Sequence, residues 1–169
     1  MLTGKELQNT WLISVTDGKK LGEIKDLYLD SGATQVAAVF LGREGMINRK
    51  TLVIDRAAIQ LFGIDVWLVN GSDKVSQMDD KSGLKELVFM DDLRGREIET
   101  DGGSKIGTIG DVVLDEQARV LGFMLGKNYI KGALAEKKGI VRAAFVDLGD
   151  KERPAILDLP KAEASNLGD

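Results

Sequence analysis

Two aspartate pairs recur along the chain, Asp26 with Asp30 and Asp111 with Asp115. Paired carboxylates can hold a metal ion or serve as general acid and base. Four residues of strand return side chains to one face, but they also separate them by roughly 13 Å, too far for one ion unless a bulge folds them together. Asp30 and Asp115 stand where a turn is expected, and there aspartate caps backbone amides, so both read as structural turn residues. The second chemical feature is the run KNYIKGALAEKKGIVR, in which Lys127, Lys131, Lys137, Lys138 and Arg142 face Glu136 alone. Arg43, Arg49, Lys50 and Arg56, against Glu44 and Asp55, make a weaker set earlier in the chain. Such a surface suits an anion, RNA or an acidic lipid, with Tyr129 as a possible stacking ring, although runs of charge commonly serve only solubility. Ile130 and Leu134, like Met46 and Ile47, interrupt these loops with apolar side chains. Exposed, they would form a docking patch; folded back, they would plug the end of a barrel. The candidate partner-binding residues are therefore Lys127, Tyr129, Ile130, Lys131, Leu134, Lys137, Lys138 and Arg142.

Other chemistry is excluded by composition. With neither His nor Cys among 169 residues, there is no Ser-His-Asp triad, no thiol nucleophile, no disulfide and no zinc cage of the usual ligands. The glycine-rich DGGSKIG, Asp101 to Gly107, lacks the spacing of a phosphate loop and runs into a strand, so it reads as a hairpin turn. No cofactor is expected. Residues 1–80 carry 9 basic and 11 acidic side chains and the remainder 14 and 16, so each part is at -2 and neither is a basic arm. That balance disfavours RNA as the partner. No basic leader and no apolar run of membrane-spanning length is present, which leads us to expect a cytoplasmic protein with no membrane span.

The elements that must position these residues come in two copies. DGKKLGEIKDLYLD (17–30) aligns without gaps on GGSKIGTIGDVVLD (102–115), matching Gly18, Lys20, Gly22, Ile24, Asp26, Leu29 and Asp30 with Gly103, Lys105, Gly107, Ile109, Asp111, Leu114 and Asp115. VAAVFLG then answers VLGFMLG, and Arg56-Ala57-Ala58 answers Arg142-Ala143-Ala144. Each copy reads as about six short strands: Trp11–Val15 or Arg96–Thr100 before a glycine turn, a long strand whose apolar parity switches near Ile24 or Ile109, a short apolar run, and two more. Gly22 and Gly107 read as structural residues that let the long strand bend. Trp11 and Trp67 read as core.

The LGEIKDLYLD and IGTIGDVVLD strands, each preceded by a glycine turn and followed by an apolar strand, resemble the PRC-barrel family. The resemblance covers about residues 4–70 and 93–160, and implies an all-β chain: two tandem small six-stranded barrels spanning 1–71 and 93–160. A linker and lead-in segment at 72–92 would join them, with a flexible tail at 161–169. It also implies an adaptor role, since such domains occur in the reaction-centre H subunit and in a ribosome-maturation factor. The leading expectation is a non-enzymatic adaptor binding a protein partner or larger assembly through loops or strand edges. An RNA-associated factor using loop 127–142 and a carboxylate-based metal-binding protein or enzyme are the alternatives; a homo-oligomer is possible.

Overall fold

The structure is a computed structural model that describes residues 1–79 and 83–168; residues 80–82 of the expected linker and Asp169 of the expected tail lie outside the described residues. The chain opens with β1 (Leu2–Thr3) and α1 (Gly4–Leu7), a single turn closed by a capping box in which Thr3 and Glu6 satisfy each other's backbone amides. Then come β2 (Trp11–Ser14) and β3 (Lys20–Glu23), joined by a turn in which Gly18 takes a φ of 69° and Asp17 accepts from the Lys19 amide. The first half continues through β4 (Asp26–Leu29), β5 (Val36–Glu44), β6 (Lys50–Asp55), β7 (Ile59–Phe62), β8 (Val66–Val69) and β9 (Ser76–Met78).

The second half runs in the same order. It comprises β10 (Val88–Phe89), α2 (Met90–Leu93), β11 (Glu97–Thr100), β12 (Lys105–Leu114), β13 (Val120–Asn128), β14 (Ile140–Val141), β15 (Phe145–Asp147), β16 (Ala155–Leu157) and finally α3 (Leu159–Ala164). The pairing runs alike in the two halves: Leu12 pairs with Gly22 and, in parallel, with Trp67, while Ile98 pairs with Gly107 and, in parallel, with Ala155. The long strand bends where its apolar parity switches, with register shifts on both sides of Ile109. In the second half it stays continuous because Gly110 takes the place of Lys25, and a Cβ at 110 would stand 2.8 Å from the Gly126 nitrogen. In the first half it divides into β3 and β4.

The chain is mostly β, but the described strands make three open sheets, ordered β14-β13-β12-β11-β16-β15, β10-β4-β5-β6-β9 and β3-β2-β8-β7, and none closes into a barrel. Described residues of the expected linker join these sheets. Thr51, Leu52 and Val53 on β6 pair with Met78, Gln77 and Ser76 on β9. More consequentially, the halves exchange their leading strands: Val88 and Phe89 pair with Leu29 and Tyr28, while Leu2 and Thr3 pair with Leu114 and Val113. Leu7, Met90 and Leu93 follow these strands into one core that also holds Leu27, Leu29, Val112 and Leu114. Two-residue strands carry no periodicity, so nothing local marks the exchange.

The tail also departs from expectation. Instead of fraying after Pro160, it forms α3, capped by the Asp158 carboxylate at the Lys161 amide and started by Pro160 within its first turn. Ala162 is fully buried, and the glycines at 122 and 139 leave the space that Leu167 fills. No helix among the described residues is long and apolar enough to cross a membrane.

Candidate functional site

Asp26 and Asp111, the first aspartates of the two pairs, come together in space, while Asp30 and Asp115 stay at their turns. Asp26 and Asp111 open equivalent stretches of β4 and β12, and Arg94, just past α2, lies between them. Its guanidinium donates to Asp26 Oδ2 at 2.6 Å and Oδ1 at 3.0 Å, and to Asp111 Oδ1 at 3.3 Å. Both carboxylates are buried. Asp111 also accepts from the Lys5 amide of α1 at 2.8 Å, and Gly4 leaves the room for it, because a Cβ there would stand 2.6 Å from Asp111 Oδ1. Burial works against the Arg94 charge, but Asp26 and then Asp111 outweigh it and raise its pKa above the ordinary arginine value. This cluster is a tie between halves. The position equivalent to Arg94 holds Gln8, so one cation serves two acids.

Asp30 and Asp115 each organise a turn. Asp30 accepts from the Thr34 amide and hydroxyl, and Asp115 accepts from the amides of Gln117 and Arg119 and from the Arg119 Nε. Burial would raise the Asp115 pKa, but the Arg119 amide and side chain together hold it below the ordinary carboxylate range. The two turns abut: Val36 N–H donates to Ala118 O, and Val120 N–H to Thr34 O. Arg56 reaches across to Gln117 O at 2.6 Å, and Arg142 across to Gly32 O at 2.7 and 2.9 Å. Burial lowers both guanidinium pKa values, opposed by Asp115 at Arg56 and by Asp30 at Arg142.

The candidate loop is therefore divided. Leu134 is buried in the core and Ile130 packs against it, so neither is a free docking side chain. The reason is a short 3-10 turn, Ala133–Glu136, that drives Leu134 inward. Lys137 is drawn under the tail, where its ammonium donates to the carbonyls of Ala162, Glu163 and Ser165 and caps the C-terminal end of α3. Arg142 is committed to the other half, as above. Tyr129 lies back over the second half, its amide donating to Ile106 O and its hydroxyl to Glu97 at 3.3 Å. Lys127, Lys131 and Lys138 remain exposed.

The corresponding hairpin of the first half behaves differently. Between β5 and β6 the chain turns through Gly45, at a φ of 95°, and projects Met46 and Ile47 with 98% and 95% of their surface open. Arg43, Arg49 and Lys50 are exposed around them. One sequence pattern thus makes a plug in one half and an open tip in the other, and only the two extra residues of the longer loop hint at which.

The continuous β12–β13 hairpin, with β11 parallel to β16 and a glycine at 107 where Lys127 O approaches, lies inside the stretch that a family model matches. A PRC-barrel domain occupies residues 85–158. The match begins at Lys85, upstream of the expected boundary at 93, so the PRC-barrel domain includes β10 and α2 even though β10 pairs on the first half. No curated protein matches the chain. The sequence analysis missed two features. Arg94, next to the expected lead-in segment, was not singled out, and the outward face of the β3-β2-β8-β7 sheet was hidden by reading Trp11 as core, whereas it is 48% exposed.

Proposed function

We propose that the chain is a non-catalytic docking adaptor made of two PRC-barrel units in tandem, the second at 85–158 and the first formed by the matching elements of residues 1–79. The observation that carries this reading is the β5–β6 tip, where Met46 and Ile47 stand almost wholly in water. Neither contributes to the core, and each would gain about 1.5–3 kcal/mol on entering an apolar pocket. Arg43, Arg49 and Lys50 around them fit a protein partner whose pocket is rimmed by carboxylates, which would steer approach as well as fix orientation. An RNA reading has less support, because Lys137 and Arg142 are spent on backbone carbonyls within the chain. A photo-cross-linking residue at Ile47 tests the reading in cells. A discrete adduct that disappears in Met46→Asp, or on charge reversal at Arg43 and Arg49, supports it; an unadducted tip, with the protein folded, defeats it.

A further inference from the structure

The outer face of the β3-β2-β8-β7 sheet is apolar where a solvent-facing sheet would ordinarily alternate to polar residues. Leu12, Ser14, Trp67 and Val69 point inward and are buried, so Trp11, Ile13, Val66 and Leu68 share the opposite face. Trp11 lies beside Val66 and Ile13 beside Leu68 in the parallel register, and Leu61 on β7 sits across from Leu68. Trp11 and Leu61 are about half exposed, at 48% and 53%, and Ile64 in the next turn is 84% exposed.

The second half serves as a control on what the fold requires there. By register, Glu97 stands in the place of Trp11, Glu99 in that of Ile13, and Asp147, opposite Ile156, in that of Leu61. Three acids at these positions are compatible with the same strand arrangement, so the apolar residues of the first half are not needed to form it. The second half also lays Tyr129 back toward this face, with its hydroxyl on Glu97. The first half sends its hairpin tip elsewhere, and Trp11 and Leu61 stay about half exposed.

We infer that this face pairs with the same face of a second copy of the chain, forming a twofold-symmetric dimer. The charge pattern selects that occupant. On β3, Glu23 lies level with Trp11 and Lys20 level with Ile13, and the Lys20 ammonium sits 4.0 Å from the Trp11 ring and 2.8 Å from Glu23. A twofold axis parallel to the sheet and midway between the two copies, crossing the strands at the level of Leu12, brings Lys20 of each copy opposite Glu23 of the other. It also sets Trp11 over Ile13 and Val66 over Leu68, the reciprocal contact an isologous interface requires. Four strands of about four residues make a face roughly 15–19 Å wide and 13 Å long. That footprint, roughly 200–250 Å², is several-fold below the standard interface of about 800 Å² per partner, so the dimer is a weak one, with dissociation expected at micromolar concentrations or above.

Sedimentation velocity of the full chain from about 1 to about 200 μM tests this, since that range spans the expected dissociation constant. The expected result is a weight-average sedimentation coefficient that climbs from monomer toward dimer. In Trp11→Glu with Leu61→Asp, which copy the acids of the second half, the climb shifts at least tenfold in concentration or vanishes while the melting curve shows a folded chain. Lys20→Glu provides a second variant that leaves the apolar residues alone: it weakens the dimer, and adding Glu23→Lys restores it. A parent chain that stays monomeric across the range overturns the inference, as does a dimer untouched by both variant sets. Neither result bears on the Met46–Ile47 tip, whose adduct is read separately.

Discussion

Replacing Arg94 by Met tests whether the two halves form one cooperative unit. The substitution keeps much of the aliphatic volume but removes the cation between two buried carboxylates, and removing one member of a buried ion pair costs about 3–5 kcal/mol. Asp26 would lose two donors and Asp111 one, yet Asp26 keeps the Leu27 amide, and Asp111 keeps the amides of Lys5 and Val112. That residual solvation places the expected loss near the lower end, about 3 kcal/mol. For a chain of this size each kcal/mol is worth about 2–4 °C, so the melting temperature should fall by about 10 °C. Both tryptophans, Trp11 and Trp67, belong to the first half, so their fluorescence follows that half while far-UV circular dichroism follows the whole. The two signals should move down together, although Arg94 belongs to the second half. Adding Asp26→Asn should recover at least about 1 kcal/mol by removing a charge that no longer has a partner. A variant that melts within about 2 °C of the parent, or one in which the tryptophan signal stays while the other falls, would refute the reasoning.

Other perturbations separate structural from docking roles. Leu134→Ala should cost about 2–5 kcal/mol in chemical denaturation, the cost of a core cavity, whereas Ile47→Ala should leave the midpoint unchanged. Gly107→Ala would place a Cβ 2.1 Å from the Lys127 carbonyl oxygen and should destabilise by about 2 kcal/mol or more. Gly22→Ala meets the movable Leu41 side chain but stands at a φ of 156°, which strains a side chain, so it should destabilise as well, through the backbone rather than a fixed clash, which paired melts would show. The lowered pKa values of Asp115, Asp147 and Asp150 give acid sensitivity of definite sign: their contribution is complete above the ordinary aspartate pKa of about 4 and is lost as pH falls through their lower folded values. With no histidine in the chain, stability should be nearly flat from about pH 5 to about pH 8 and drop only in acid, as a melt series would record.

What could be read from sequence was whatever repeats locally. The glycine turns, the long bent strand with its parity switch at Ile24 and Ile109, and the turn aspartates Asp30 and Asp115 all depend on neighbours within a few residues, and all stand where the pattern puts them. The exchange of β1 and β10 depends on partners about 60 to 110 residues away through two-residue strands, too short to show alternation. The fate of the loops was equally nonlocal. Leu134 is buried because a 3-10 turn and the tail helix close over the second half, and the apolar content of the tail gave no sign that Ala162 and Leu167 would find glycines to pack on.

The exchange also explains how two outward features can diverge without loss of the fold. Each half obtains its leading strand and a buried leucine, Leu7 or Leu93, from the other, so stability is shared through the junction at Arg94 and through the abutting turns at Ala33 and Ala118. The ends remote from that junction are correspondingly free. In the second half they were filled, with Leu134 turned inward and Tyr129 laid toward Glu97. In the first half the same positions stay open, presenting Met46 and Ile47 at a loop tip and Trp11 and Leu61 on a sheet face. Two halves with similar elements and unlike surfaces place the exposed apolar residues on one half, so the proposed dimer, formed through the first half, would carry two copies of the Met46–Ile47 tip for the proposed partner.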